Sequence, residues 1–353
     1  MIPIPSPDTI PVDWGWFMFL LLLTFPLHLL AMNGMLGALA IAVGQQFLGG
    51  SVRIRLAHRL AVALPLLIAF AVNLGVAPLL FLQVLYGQFV YTSSILMGVF
   101  WLAIIPVLII AYYGAYLYDF RFARLGTAGM WIGLAVLCLF LVIAYFFSNN
   151  MLLMSLPERF AEYFDNRGGT LLASAETVFL PRYLHMITGA LAIGGLGAAV
   201  LAQFRKEADP EMAAHGLALG MRVFRHVTLV NLGVGVWFLL ALDRERMLLF
   251  MGRNLAATLC FSTALILIVA MLWAAHANRL WTTVGCAVSL VYLMSFMRSW
   301  LRADSLLPHF SLNQLQVIPE YSPMLFFFAT LIVGIGCIVW LVLKVAAALR
   351  NSV

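Results

Sequence analysis

Nine runs of apolar residues, at 14–43, 58–82, 92–119, 127–149, 177–204, 219–242, 250–276, 280–300 and 322–348, each reach about the twenty residues that cross a hydrocarbon core. In lipid a backbone N–H or C=O finds no water, and an open strand edge is excluded. Each run is therefore expected to close its hydrogen bonds within itself, as a helix. With 64% of its 353 residues hydrophobic and 10% charged, the chain has too little polar surface to cover a water-soluble globule. The expected fold class is an all-α integral membrane protein with nine transmembrane helices.

The net charge of +6 could suggest nucleic acid, but its distribution across the membrane explains it better. With nine spans, the face opposite the N-terminus carries twelve Lys and Arg, among them Arg53, Arg55, Arg59, Arg205 and Arg222, against four acids. The N-terminal face carries eight arginines against ten acids. The excess of Lys and Arg marks the cytoplasmic side, so the chain is expected to be multi-pass in a bacterial inner membrane, with its N-terminus periplasmic and its C-terminus cytoplasmic. No nucleic-acid partner is implied. The opening MIPIPSPDTIPVDW has no basic lead-in or small-residue cleavage pattern, so the first span is expected to remain in the protein. Cys138, Cys260, Cys286 and Cys337 fall inside spans without CxxC or CxxCH spacing, which argues against disulfides, zinc and covalently attached haem.

The chain is written twice. Aligning FPLHLLAMNGMLGALAIAV (25–43) with RYLHMITGALAIGGLGAAV (182–200) sets His28 on His185 and Gly37 on Gly194. About 45 residues after each histidine comes the same tetrapeptide, AsnLeuGlyVal, at 73–76 and 231–234. FSNNMLLMSLPERF (147–160) is echoed by MRSWLRADSLLPHF (297–310). The expected organisation is two tandem four-helix bundles, 1–160 and 161–310, followed by a C-terminal helix within 311–353. An even number of helices per copy makes the repeat parallel, so both histidines belong in the outer half of the membrane.

Ionisable side chains within spans are costly and are functional candidates by default. An imidazole inside a helical bundle is a common way to hold haem iron, and a histidine bonded to a neighbouring carbonyl is the plainer alternative. His28 and His185 are the candidate metal ligands. His58, His215, His226 and His276 fall beside arginines at cytoplasmic ends, and His309 lies in an outer loop. Haem propionates pair best with arginine, whose planar fork matches a carboxylate. Arg182, Arg253, Arg298 and Arg302 are the outer-side candidates, with interfacial snorkelling as the alternative. The outer-side thioethers that could serve as a sixth ligand are Met151, Met154, Met247, Met251, Met294 and Met297.

LHLLAMNGMLGALAIAV, FAVNLGVAPLLF, FSNNMLLMSLPERF and RYLHMITGALAIGGLGAAV together resemble subunit I of cytochrome bd oxidases, and the resemblance covers almost the whole chain. It implies nine spans with the N-terminus outside and one to three haem b groups, with a different haem type allowed at His28. It makes His28 the ligand of a high-spin haem and His185 that of a low-spin haem. Arg253 would stand beside the latter, and Arg298 in the motif closing span eight.

The chain departs from that pattern at several points. Leu255 stands where the low-spin haem takes its methionine, which leaves Met251 as the substitute. SerPheMet at 295–297 replaces a glutamate, and apolar residues around Val99 and Val107 replace two more. AspArgGluArg (243–246) is all that remains of the quinol loop. Oxygen reduction needs protons at a buried iron, and a bundle without carboxylates has no obvious relay. The expectation is an oxidoreductase: a haem b electron-transfer subunit of a membrane respiratory complex, exchanging electrons with a c-type cytochrome or partner subunit at the outer face. Alternatives are a divergent bd-type oxygen reductase and a haem-free transporter or scaffold. A quinone pocket lined by Asn73, Gln83 or Gln88 is also open, and no catalytic residue is assigned.

Overall fold

A computed structural model describes residues 3–351. Among these are nine helices long and apolar enough to cross a membrane: α1 (Trp14–Leu48), α2 (Ser51–Leu96), α3 (Gly98–Phe120), α4 (Thr127–Leu153), α5 (Phe179–Phe204), α6 (Pro210–Ala241), α7 (Leu255–His276), α8 (Leu280–Leu306) and α9 (Tyr321–Asn351). No sheet occurs among the described residues. The chain is an all-α, multi-pass membrane protein.

The starts of several helices follow from side chains that supply what the first turn lacks. The Asp13 carboxylate accepts from the Gly15 N–H (2.8 Å), Asp209 accepts from Met212 with Pro210 in the first turn, and Asn254 accepts from Ala257. The helices overrun the apolar runs. At about 1.5 Å per residue the 46 residues of α2 measure about 69 Å, well beyond the hydrocarbon thickness. That helix is broken at Tyr86 (φ −139°, ψ 33°), and its outer part ends at Met97, where α3 turns back. Span three accordingly begins at Gly98 rather than 92. Span seven begins at Leu255 rather than 250, behind a π turn at Leu249–Arg253.

The two copies are not separate bodies. The pairs α1–α2 and α5–α6 pack most closely, and α1 lies against α5 between them. One apolar cluster runs from Met35, Leu39 and Ile68 through Tyr118 and Phe140 to Ala190, Ala198 and Met212, so the core continues past the expected unit boundary at 160. At the end of the bundle where α1 passes into α2, Arg55 on α2 binds Asp209 and Glu211 of the other copy, both at 2.7 Å, and His215 Nε2 lies 2.8 Å from Gln45 Oε1. The Arg55 hydrogen bonds hold the Asp209 carboxyl below the usual carboxylate range.

The opposite end, where α1 begins, carries a layer of loops. Ile10 pairs with the segment after α8: its N–H donates to the Gln316 carbonyl (2.9 Å), and its own carbonyl accepts from Ile318 (3.0 Å). Arg159 anchors a second loop, donating to Glu162 (2.7 and 2.9 Å), Glu176 (3.1 Å) and the Leu172 carbonyl (3.2 Å). The last helix, α9, is exposed along nearly its whole length.

Candidate haem-binding site

His28 stands two residues after Pro26, in the N-terminal half of α1. Its ring packs on the bare backbone of Gly75: a Cβ added there would fall 2.9 Å from the imidazole Nδ1 and Cε1. Nδ1 lies 2.9 Å from the Ala71 carbonyl. A carbonyl can only accept, so Nδ1 carries the proton and Nε2 keeps its lone pair, the tautomer a metal ligand needs.

His185 repeats this arrangement on α5, with a difference. A Cβ on Gly235 would meet its Cε1 at 3.1 Å and Nδ1 at 3.3 Å, so the Nδ1 edge faces α6. Phe238 stacks on the ring at 6.3 Å. Among the described residues Nδ1 is buried without a hydrogen-bond partner, and the main chain and side chain of Asn231 are the polar groups that influence the ring. Each histidine therefore rests on a glycine one turn beyond the residue nearest its Nδ1, Ala71 and Gly75 in one copy, Asn231 and Gly235 in the other. The repeated tetrapeptide leads to Gly75 correctly. In the second copy the contact falls two residues later, on Gly235 rather than Gly233.

Three of the four candidate arginines gather near these rings. The Arg298 guanidinium lies 5.1 Å over the ring of Phe25, which is itself 6.4 Å from His28. One turn further along α8, Arg302 lies 5.6 Å over Tyr86. Arg182 sits one turn before His185, and the three cations are close enough to repel one another. Among the described residues none of the three meets a carboxylate, and Arg298 Nε is buried without a partner. A cluster of half-buried guanidinium groups without counter-charge is unfavourable on its own and suits an anionic ligand.

Arg253 differs. It is ion-paired to Asp304 and Glu245, so its charge is already answered. Met251 lies on the π turn with non-helical backbone (φ −121°, ψ 38°) and is 48% exposed. Of the residues weighed for a quinone, Asn73 is exposed and donates to the Ala69 carbonyl of its own helix (2.7 Å), while Gln88 is buried in the outer part of α2. Sequence reasoning passed over Phe25, Tyr86, Thr188, Gly235 and Asn231 as contributors. Only Asn231 carried a signal, as the head of the repeated tetrapeptide.

The described residues contain no group of three or more His, Cys, Asp or Glu that could hold a bare metal ion. The arrangement suits a group that brings most of its own coordination: one imidazole for an iron, and cations for peripheral carboxylates. No family model and no curated protein matches this chain.

Proposed function

We propose that this protein is a haem b-binding electron-transfer subunit of a membrane respiratory complex, similar to cytochrome bd subunit I, with His185 and His28 as axial ligands. One observation carries the reading. Two repeat-related imidazoles rest on facing glycines, near three arginines of α5 and α8 that, among the described residues, meet no carboxylate. A bound haem supplies a one-electron couple. The chain's residues do the rest: Ala71 fixes the His28 tautomer, Gly75 and Gly235 let each ring lie against the next helix, and Arg182, Arg298 and Arg302 would hold propionates.

In this reading the arginine side faces the periplasm of a bacterial inner membrane, and electrons pass there to or from a c-type cytochrome or a partner subunit. The charge bias of the loops supports the orientation. A reduced-minus-oxidised spectrum with pyridine haemochrome quantitation on the purified protein tests the assignment, repeated for His28→Ala and His185→Ala. Loss of one chromophore with each substitution is expected. A protein without haem, or spectra untouched by both substitutions, refutes it.

A further inference from the structure

We infer that Asn231 is the positioning residue for the His185 imidazole: its side-chain oxygen takes the Nδ1 proton while Thr188 holds the amide nitrogen, which leaves Nε2 free for iron. This rests on the haem reading of His185 and adds a role to a residue that the reading leaves unassigned.

The inference starts from a hydroxyl with one proton and two close claimants, the His185 carbonyl standing further off at 3.4 Å. Thr188 Oγ1 lies 2.7 Å from the Leu184 carbonyl and 2.5 Å from Asn231 Oδ1. Both oxygens accept only, so one of these contacts leaves two oxygens facing each other without a proton. The Leu184 carbonyl belongs to the same helix and is the habitual partner of a mid-helix threonine. Rotating the Asn231 amide by half a turn resolves the conflict, since its oxygen and nitrogen are near-equivalent in shape. The NH2 group then donates to Thr188, and the carbonyl oxygen takes the position the nitrogen held.

That position lies over the same face of α5 as the orphan. The Asn231 amide nitrogen site is 3.3 Å from where a Cβ on Gly189 would stand, so the amide lies in a slot on α5 that only a glycine leaves open. Residues 185, 188 and 189 share one face of α5 over a single turn. His185 turns its Nδ1 edge toward α6, where Asn231 offers it both its main-chain carbonyl, the stronger influence, and its side-chain amide. At its present position the amide makes no hydrogen bond to the buried Nδ1; after the rotation a small shift of the amide gives Nδ1 an acceptor and pairs Thr188 with a donor. In the other copy Ala71 does this with its main chain, while Asn73 faces outward. The second site thus uses a side chain that mutation can remove.

The test uses the full-length, haem-loaded protein, and the band lost in His185→Ala identifies the chromophore to follow. An Nδ1–H donated to an amide oxygen makes the imidazole a stronger electron donor and favours ferric iron. Asn231→Ala should keep the haem and raise the midpoint potential. The expected shift is about tenfold in the ferric–ferrous equilibrium, roughly 59 mV for one electron, with altered ferric g values in electron paramagnetic resonance. Thr188→Val should shift both in the same direction, and Thr188→Ser should restore wild-type values. Wild-type potential and g values in haem-replete Asn231→Ala overturn the inference, because they leave the ring held by main chain alone. Should Asn231→Ala lose its haem, Thr188→Val, nearly identical in shape to the native residue, decides by the same criteria. An unchanged spectrum in His185→Ala overturns the haem reading and this role with it, and it is recognisable because it arises in that variant.

Discussion

Gly37 on α1 and Gly194 on α5 touch backbone to backbone: a Cβ on Gly194 would strike Gly37 Cα, and one on Gly37 would strike the Ala190 carbonyl. The repeat alignment superposes these same two residues. Equivalent positions of the two copies therefore meet here, as they would on an approximate two-fold axis between the glycines. In lipid, where apolar burial gives no drive between helices, such close approach supplies the van der Waals contact that joins them.

Gly37→Ala and Gly194→Ala should therefore each destabilise the protein by about 1–3 kcal/mol, the usual cost of overpacking. Gly34, on the same helix, has nothing within 4 Å of an added Cβ, and Gly34→Ala should be neutral or slightly stabilising. Thermal unfolding in detergent micelles ranks the three. Equal behaviour of Gly34→Ala and Gly37→Ala would count against a contact at the axis.

Arg298 is the cation most directly tied to the His28 side, through Phe25. If haem is bound there, Arg298→Gln removes a positive charge that favours the reduced form. The midpoint potential of the His28-dependent chromophore should fall, by about 59 mV for a tenfold effect. Potentiometric titration reads it, and a rise or no change would argue that Arg298 answers some other anion.

The Arg159 loop gives a pH prediction. Hydrogen bonds from Arg159 hold the Glu162 carboxyl below the usual carboxylate range. Its folded value lies below its unfolded one, so its contribution is complete above about pH 4.3 and is lost as the pH falls through the folded value. Glu162 is 42% exposed, so solvent screening keeps the effect under about 1 kcal/mol. Wild-type melting temperature should drop faster than that of Glu162→Gln between neutral pH and about pH 3.5, as this linkage requires. Parallel curves for the two proteins would dismiss the coupling.

Orientation is checked by labelling. In a background with the four native cysteines replaced by alanine, Asn313→Cys, on the outer loop, should react with a membrane-impermeant maleimide on intact cells. Ser51→Cys, between α1 and α2, should react only after the membrane is opened. Both positions are exposed. The reverse pattern would invert the topology drawn from the arginines.

The nine helices could be read from residues, because lipid imposes a length and a backbone rule that leave few options. The outer part of α2 could not. Gln83, Gln88, Thr92, Ser93 and Ser94 interrupt the apolar run, yet Thr92 and Ser94 bond carbonyls of their own helix at 2.7 Å, and Asn150 of α4 reaches Ser94 at 3.2 Å. Hydropathy scores such residues as loop, although locally satisfied hydroxyls fit a helix well. Arg253 illustrates another limit: its partner Asp304 is 51 positions away, and only the folded chain reveals that its charge is met. Asn231 stood in plain view as a motif, but its partners on α5 depend on a half-turn slip between copies that alignment does not register.

The pairing of Ile10 with Gln316 and Ile318 has a bearing on biogenesis. One strand of that clasp precedes α1, while the other follows α8, so the ribosome and insertion machinery must deliver eight helices before the outer surface can be fastened. Until then the segment ahead of α1 waits unpaired, and closure of the clasp becomes a late checkpoint on complete insertion.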